Sequence, residues 1–251
     1  MIFILGGNGY VGSAIARYCK RKGLDFISIT RENYDEMKGS FCDIFINANG
    51  NSKRYLAERN PRMDFDMNVR ATFDTLHDFH IKKYVHMSTV DVYNSLDISV
   101  LTTEEQDIDV SRMSPYELDK YLSECIVMNK AKEWIILRLG GMVGKQMTKG
   151  PVFDIINNKD IYVNTKSRYQ FINTDLVSKI TIDLSLSDVV NEIFNVCGSN
   201  NVEIADIYKL VGEKPPSKKL PVHIYDVTNY KISRQYKIPS SYDTVKNFLS
   251  E

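Results

Sequence analysis

The chain has 251 residues, of which 43% are apolar and 25% charged, as is typical of a globular protein with one α/β domain and at most a small appendage. Its 32 acidic and 32 basic residues cancel, so charge gives no indication of a nucleic-acid or membrane partner, and no apolar run is long enough to span a bilayer. The chain does not start like a signal peptide, and its cysteines and histidines show neither C-x-x-C nor metal-ligand spacing. We therefore expect a cytoplasmic protein with reduced thiols and no metal site.

The first elements predict the beginning of a parallel sheet. Residues 1–5 form an apolar run that is typical of a buried strand, and residues 6–12 form a glycine-rich turn. Apolar residues at helical spacing predict a helix over 11–22, which Gly23 ends. Residues 25–30 predict the second strand.

Strands and helices alternate in the following segment. The predicted elements are a third strand at 43–47, a helix from 60–61 to about 80, a fourth strand at 83–88, a helix from about 116 to 132 and a fifth strand at 134–139. This alternation predicts an α/β fold with a doubly wound parallel sheet, the Rossmann arrangement.

The remainder of the chain is less regular. It predicts helices at 151–158, 176–186, 204–211 and 243–249, strands at 160–163, 169–172 and 192–196, and a linker at 214–221. We predict a cofactor-binding core over residues 1–145, to which strands at about 169–196 return. Residues 146–168 and 197–251 are expected to form a small substrate-binding lobe.

The turn after the first strand fits a dinucleotide-binding motif. Glycines at this G-x-G-x-x-G spacing allow a tight turn, a close approach of the backbone to a pyrophosphate, and close packing of helix on strand. The helix that follows offers free N–H groups and a partial positive charge to the phosphates. A plain tight turn is the alternative. The predicted cofactor-binding residues here are Gly6, Gly7, Asn8, Gly9, Tyr10, Val11 and Gly12.

The end of the second strand bears on the choice of cofactor. An acidic residue there would bind the adenine-ribose 2′-hydroxyl of NAD, but the chain has Arg31, whose planar fork can pair with a 2′-phosphate. We therefore predict a preference for NADP(H), with NAD(H) as the alternative cofactor and a surface arginine as the alternative interpretation. Because the carboxyl ends of parallel strands face the ligand crevice, further cofactor contacts are expected from Asn47, Ala48, Asn49 and Ser88.

Tyr116 and Lys120 form a Y-x-x-x-K pair at the start of the helix before the fifth strand. Residues at i and i+4 share a helix face, so the phenol and the ammonium are expected to point into one cleft. A nearby cation stabilises a phenolate, which predicts a lowered pKa for Tyr116 and a role in proton transfer. Thr89, at the end of the fourth strand, is expected to hydrogen-bond the reacting oxygen beside Tyr116.

In these features the sequence resembles the extended short-chain dehydrogenases, the NAD-dependent epimerase/dehydratase family, over about residues 1–210. The matching segments are the glycine turn, Asn60-Pro61 with Asn68-Val69, YVHMSTVDVY at 84–93, SPYELDK at 114–120, residues 134–144, RYQFINTD at 168–175 and Asn195-Val196. The resemblance implies that Thr89 is the catalytic Ser/Thr. It also implies that Asn68 helps to order the cofactor site, that Lys120 binds the nicotinamide ribose and that Arg168 binds the diphosphate of the substrate.

The sequence also departs from the family pattern. The segment between Thr30 and Asp43 is too short for a full helix and a further strand. Where dehydratases of the family carry an Asp-Glu pair, this chain has Val90 and Asp91. In these respects it looks closest to the dTDP-4-dehydrorhamnose reductase branch.

The leading hypothesis is the NADPH-dependent reduction of a keto group on a nucleotide-linked sugar, with Tyr116 as general acid. Asp91 and Arg168 are the predicted substrate-binding residues, although each is also explained as a loop or surface charge. One alternative is an epimerase, dehydratase or decarboxylase that recycles NAD and uses Asp91 as an extra acid or base. Another is a non-catalytic cofactor-binding regulator. By analogy with relatives, helices near 64–79 and 116–130 are expected to pair in a homodimer.

Overall fold

The computed structural model of the chain describes residues 1–217 and 219–250. The strands are β1 (Ile2–Leu5), β2 (Phe26–Ile29), β3 (Phe41–Asn47), β4 (His80–Thr89), β5 (Glu133–Leu139), β6 (Gly141–Val143), β7 (Arg168–Tyr169), β8 (Phe171–Asn173), β9 (Glu192–Val196) and β10 (Val202–Glu203). The helices are α1 (Tyr10–Lys22), α2 (Tyr34–Met37), α3 (Arg54–Arg59), α4 (Pro61–Phe65), α5 (Ala71–Asp78), α6 (Pro115–Lys130), α7 (Pro151–Ile156), α8 (Thr174–Leu186), α9 (Ile204–Leu210), α10 (Tyr230–Ser233) and α11 (Ser241–Leu249). Within the described residues, no helix is both long and apolar enough to cross a membrane.

The main sheet has the strand order β2-β1-β3-β4-β5-β9. β1 pairs in parallel with β2 on one side and with β3 on the other, and β3 pairs in parallel with β4. The strand order therefore reverses at β1, and the ligand crevice of such a sheet lies at the carboxyl ends of the strands beside this point. This arrangement confirms the predicted Rossmann fold.

Two observations explain the sheet at this edge. All four residues of β1 are buried, as expected for a parallel strand that is covered on both faces. The connection from β2 to β3 contains only the short α2, which agrees with the expectation that this segment is too short for a full helix and a further strand. The sheet therefore ends at β2, which lies next to β1, the strand that leads into the glycine turn.

Several predicted elements differ from the observed ones. The helix expected from 61 to 80 contains a π-helical turn at Asp66–Arg70 between α4 and α5, and it ends at Asp78. Residues 160–163 are not a strand, and α3 was not predicted. The strand expected at 169–172 is split into β7 and β8, which belong to two different small sheets. The split falls at Gln170. Its side-chain amide donates to the carbonyls of Gly198 and Val227 and accepts a hydrogen bond from the Val227 N–H.

The described chain divides into two compact units. The first contains residues 1–94, 107–138 and 177–194, and the second contains residues 95–106, 139–176 and the chain from 195 onward. The core of the first unit is rich in aromatic rings, with Phe45 stacked on Tyr84 at a centroid distance of 5.4 Å. The core of the second is mainly aliphatic, with Ile155, Ile207 and Val245 fully or almost fully buried.

Candidate active site

The turn between β1 and α1 leaves no room for a side chain at several of its glycines. Gly6 has a φ of +76°, and the N–H of Gly9 donates to its carbonyl at 2.8 Å. A Cβ on Gly12 would lie 2.2 Å from the Gly6 carbonyl oxygen, and a Cβ on Gly7 would lie 2.4 Å from Ser28 Oγ. Since both distances are far below van der Waals contact, the turn requires glycine at these positions.

The N-terminus of α1 has the properties of an anion site. Its N-cap is Gly9, which supplies no capping side chain, and its first turn contains no acidic residue. The unpaired N–H groups and the helix dipole therefore favour a negative group at this end. Together with the bare glycine backbone, this end of the first unit fits the diphosphate of a dinucleotide. Asn8 is exposed here, and Tyr10 and Val11 are half-buried.

Arg31 is exposed on the turn that follows β2. Asn33 holds the backbone of this turn: its side chain accepts a hydrogen bond from the Thr30 N–H at 2.7 Å and donates one to the Ser28 carbonyl at 3.0 Å. Asn33 thus fixes the backbone next to Arg31, and the exposed side chain of Arg31 is accessible to an anion.

The end of β3 lies beside the glycine turn. A Cβ on Gly6 would be 3.0 Å from the carbonyl oxygen of Ala48, so the two backbones are in close contact. Asn47 is buried, and its amide donates to Tyr84 Oη at 2.9 Å and accepts from the Asn49 N–H at 3.1 Å. The Asn47 side chain therefore orders this segment from within, and the predicted cofactor contacts of residues 47–49 stay predictions.

The structure brings Thr89, Tyr116 and Lys120 together inside the first unit. Ser114 and Glu117 form a capping box at the start of α6, so the helix begins immediately before Tyr116. Tyr116 and Lys120 are 6% and 5% exposed, and the Tyr116 side chain hydrogen-bonds that of Thr89. These groups form the compact polar cluster that the sequence predicted at the carboxyl end of β4.

The protonation states in this cluster differ from the expectation. Burial raises the pKa of Tyr116, and the charge of Asp91 raises it further, although Arg54 and Thr89 act in the opposite direction. The expectation that Lys120 lowers the pKa of Tyr116 is therefore wrong for this arrangement. The main reason is burial, and the Lys120 ammonium donates to the Met87 carbonyl at 2.7 Å. Burial also lowers the pKa of Lys120 to about 8.

Asn68 lies in the π-helical turn and is buried against the same cluster. Its amide nitrogen donates to the Asp64 carboxylate at 3.0 Å. A Cβ on Gly50, which has a φ of +129°, would lie 2.5 Å from Asn68 Oδ1 and 4.0 Å from Lys120 Nζ. A side chain at Gly50 would therefore collide with Asn68 and come near Lys120, and π-helical turns of this kind are frequent at functional sites.

Ser88 has a different environment from Thr89. Its hydroxyl donates to Glu124, which also receives hydrogen bonds from Arg138 at 2.8 and 3.2 Å. Glu124 and Arg138 are 0% and 2% exposed, and the Arg138 guanidinium lies 4.8 Å from the centre of the Tyr93 ring. Ser88 therefore links the end of β4 to a buried ion pair, and its predicted contact with a cofactor stays a prediction.

Asp91 forms a bidentate ion pair with Arg54, whose Nε donates to Asp91 Oδ2 at 3.1 Å. The pair lies close enough to Tyr116 for both charges to act on the phenol. Arg54 is on α3, which the sequence did not predict. The segment between β3 and Pro61 carries three basic residues, Lys53, Arg54 and Arg59, and no pattern in the sequence distinguishes Arg54 from the other two.

Arg168 lies in the second unit, at the start of β7, and its side chain is exposed. Its backbone is fixed by hydrogen bonds with His223 at 2.8 Å and Tyr225 at 2.9 Å. The predicted contact of Arg168 with a diphosphate stays a prediction.

Comparisons with known proteins agree with this arrangement. Residues 2–66 match the family model for the NAD dependent epimerase/dehydratase family, in the segment that holds the glycine turn, Arg31 and Asp64. No curated protein matches the sequence significantly.

Solved structures match over nearly the whole chain. A UDP-glucose 4-epimerase from Thermotoga maritima, with UDP-glucose, has a TM-score of 0.81 at 17% identity, covering 99% of this chain and 97% of that one. A dTDP-4-dehydrorhamnose reductase from Bacillus anthracis, with NADP, has a TM-score of 0.78 at 15% identity, covering 99% and 97%. A UDP-glucuronic acid 4-epimerase from Bacillus cereus, with a UDP-sugar and NAD, has a TM-score of 0.80 at 16% identity, covering 99% and 98%. At these identities the likeness concerns the fold. Together with the family match over residues 2–66, it agrees with the predicted resemblance to the extended short-chain dehydrogenases.

Proposed function

We propose that this chain reduces a keto group on a nucleotide-linked sugar with a nicotinamide cofactor, and that NADPH is the preferred cofactor. The observation that carries the proposal is the buried cluster of Thr89, Tyr116 and Lys120, in the same unit as a glycine turn that fits a dinucleotide diphosphate. The choice of a nucleotide sugar is supported by the family match and by the substrates in the similar solved structures.

In this proposal a bound nicotinamide supplies the hydride, and the protein supplies the proton. Tyr116 donates its phenolic proton to the oxygen of the reacting carbonyl, and Thr89 stabilises that oxygen with a hydrogen bond. Lys120 lies one helical turn from Tyr116 and holds the cofactor ribose. Because burial raises the pKa of Tyr116, its phenol is protonated before the reaction, as a general acid must be.

A contact between Arg31 and a 2′-phosphate supports the preference for NADPH. The side chain is exposed, and its backbone is held by the turn that Asn33 orders. The preference remains a proposal, since the similar solved structures include complexes with NADP and with NAD.

The recycling enzymes are the main alternative, because two of the similar structures are epimerases. In such an enzyme Asp91 would serve as an extra acid or base. Its carboxylate is bound by Arg54 on both oxygens, which argues against this role. The cofactor state of the purified protein separates the two: a recycling enzyme retains oxidised cofactor, whereas a reductase oxidises added NADPH when a 4-keto nucleotide sugar is present.

Substitutions in the cluster test the mechanism. Tyr116→Phe removes only a hydroxyl, so folding and cofactor binding should survive while turnover falls by about 10²- to 10⁴-fold. Thr89→Val should cost less, because the proton source remains. Lys120→Ala should weaken both turnover and cofactor affinity. The measurements are the rate of NADPH oxidation and the cofactor Kd by fluorescence titration, and near-wild-type turnover of Tyr116→Phe would refute the mechanism.

The proposed substrate contact and assembly have their own tests. Arg168→Ala should raise KM for the nucleotide sugar and leave the cofactor Kd unchanged, since Arg168 is assigned to the substrate diphosphate. A homodimer through α4, α5 and α6 is supported by the exposed rings of Phe65 and Phe73, which are 41% and 43% accessible. Sedimentation of the wild type and of a Phe65→Glu variant tests the dimer.

A further inference from the structure

Two acidic side chains meet inside the first unit, next to the proposed catalytic residues. Asp64 on α4 is 0% exposed, and Asp119 on α6 is 6% exposed. The carboxyl of Asp119 is within hydrogen-bonding reach of the carboxyl of Asp64. Neither residue is among those predicted from the sequence to act at the site.

Asp64 is also the centre of a small amide network. Its Oδ1 accepts a hydrogen bond from Asn51 Nδ2 at 2.6 Å and another from Asn68 Nδ2 at 3.0 Å. Its Oδ2 is buried and has no donor among the described residues. An ionised carboxylate only accepts hydrogen bonds, so two buried carboxyl groups in contact require a proton between them. A protonated Asp119 would supply the donor that Asp64 Oδ2 lacks.

We propose that Asp64 and Asp119 share one proton and act as a positioning pair, which holds Asn68 and the segment at Gly50 and Asn51 against Lys120. The catalytic part of this proposal rests on the proposed function, in which Lys120 holds the cofactor and supports Tyr116. The sharing of the proton does not depend on it.

Two amides link the pair to the segment around Gly50, which lies beside Lys120 Nζ. Asp64 binds the amide nitrogen of Asn68 and so fixes the amide with its Oδ1 beside Gly50, where this oxygen has no donor among the described residues. Asp64 also binds Asn51, whose Oδ1 accepts from the Lys53 N–H at 2.8 Å and so shapes the segment after Gly50. If Asp119 loses its proton, the two carboxylates repel each other. The Asp64 carboxylate, to which both amides are anchored, then moves.

No charged group outside the pair contributes to the pKa shift of Asp119. Helices α3, α4 and α5, the π-helical turn, β4 and the turn at Val90–Val92 all pack near α6. Their remaining charged or titratable residues are Arg54, Tyr55, Glu58, Arg59, Arg62, Asp66, Arg70, Asp74, His77, Asp78, His80, Lys82, Lys83, Tyr84, His86 and Asp91. The pKa of Asp119 is raised to about 7, first by burial and then by the hydrogen bond and charge of Asp64, and no other charge contributes to it. Within α6, the charge of Asp64 raises the pKa values of both Tyr116 and Lys120.

The sign of the pH dependence follows from this shift. An unfolded aspartate has a pKa of about 3.9, so the folded protein binds the extra proton more tightly. The stabilisation by the shared proton is complete below the unfolded pKa and is lost as the pH rises through about 7. The positioning of Asn68 and Lys120 should weaken over the same range.

The test compares three substitutions with a control. Asp119→Asn keeps the shape and gives Asp64 a permanent donor, whereas Asp119→Leu keeps the branched shape in a larger side chain and gives none. Asp64→Asn removes the carboxylate that anchors both amides. Asp25→Asn makes the same chemical change as Asp119→Asn at an exposed site with no role in the cluster. Thermal unfolding from about pH 5 to about pH 9 is measured for each, together with kcat, KM and cofactor Kd.

We expect the wild type and Asp25→Asn to lose stability and kcat relative to Asp119→Asn as the pH rises through about 7, whereas other titrating groups such as Lys120 are common to all three and cancel in the difference. Asp119→Leu and Asp64→Asn should lower kcat at least tenfold at every pH and change KM for the sugar substrate less than threefold. An infrared band of a protonated carboxyl, present in the wild type at pH 6 and missing in Asp119→Asn, reports the proton directly.

Two results would overturn the proposal. If the infrared band is missing and Asp119→Asn follows the same unfolding profile as Asp25→Asn, no proton is shared. If Asp119→Leu folds and keeps wild-type kcat, the pair does not position the site. If Asp119→Leu does not fold, the pH profiles of unfolding and of kcat for Asp119→Asn and Asp25→Asn still test whether the proton is shared and whether it positions the site. A failure of the proposed function is seen separately, because the unfolding and infrared measurements need no substrate.

Discussion

The buried ion pair under the candidate site gives the most quantitative prediction for stability. Glu124 and Arg138 are 0% and 2% exposed, and Glu124 receives hydrogen bonds from Arg138 and from Ser88. Arg138→Met removes the cation and keeps most of the apolar volume. The glutamate is then buried without its counter-charge, directly beneath the strand end that presents Thr89.

The size of the effect follows from this burial. Removing one partner of a buried, hydrogen-bonded ion pair costs about 3–5 kcal/mol, because the remaining charge keeps its full desolvation penalty. In a chain of this size, each 1 kcal/mol lowers the melting temperature by roughly 2–4 °C. We therefore expect Arg138→Met to melt roughly 6–20 °C below the wild type. The double variant Glu124→Leu/Arg138→Met should recover most of that loss, apart from about 1 kcal/mol for the hydrogen bond of Ser88.

Thermal and urea unfolding, followed by circular dichroism, measure both variants. Lys179→Met is a matched control, because Lys179 pairs with Asp183 on the surface of α8 and its loss should cost at most about 1 kcal/mol. A cost within 1 kcal/mol of this control for Arg138→Met would refute the argument from burial. Equal losses in the single and double variants would show that packing, and not the unpaired charge, determines the effect.

Three further predictions concern the cofactor turn, the choice of cofactor and the buried lysine. Gly12→Ala should lower cofactor affinity at least tenfold, because its Cβ would lie 2.2 Å from the Gly6 carbonyl. Gly39→Ala meets no atom within 4 Å, and its φ of +77° should cost stability but leave affinity unchanged in the same titration. Arg31→Asp should weaken NADPH by about one to two decades while changing NADH little, and an unchanged ratio of the two Kd values would contradict the 2′-phosphate contact. Burial lowers the pKa of Lys120 to about 8, so the cost of burying its charge is present below that pH and fades as the pH rises towards about 10.4. Lys120→Met should therefore gain stability over the wild type at pH 7, and a gain that does not shrink at pH 10 in urea unfolding would contradict the assignment.

Most of the fold could be predicted from local patterns. The apolar run of β1, the glycine spacing and the start of α6 after Ser114 each depend on neighbouring residues, and the structure has them where expected. The prediction of one strand at 169–172 was wrong. Its two halves pair with different strands, and Gln170 between them bonds residues far along the chain. The helix α3 failed because it is short and has little apolar periodicity.

The candidate site was predictable where it follows a motif and not where it depends on partners. The motif located Thr89, Tyr116 and Lys120, which the structure brings together. It could not show that Asp91 is bound by Arg54, or that the hydroxyl of Ser88 is used by Glu124. These partners lie on elements whose packing no single stretch of sequence specifies.

The protonation of Tyr116 shows why spacing alone is an incomplete guide to chemistry. Spacing places a cation one helical turn away, and an argument from charge then predicts an easily formed phenolate. The structure adds that both groups are buried and that the ammonium of Lys120 is directed at the Met87 carbonyl. Under these conditions desolvation outweighs attraction, so the pKa of the phenol rises and that of the lysine falls. A tyrosine held in its protonated form carries the proton that a reductase must give to the forming alkoxide, but the same rise in pKa makes it a weaker donor than a solvated phenol.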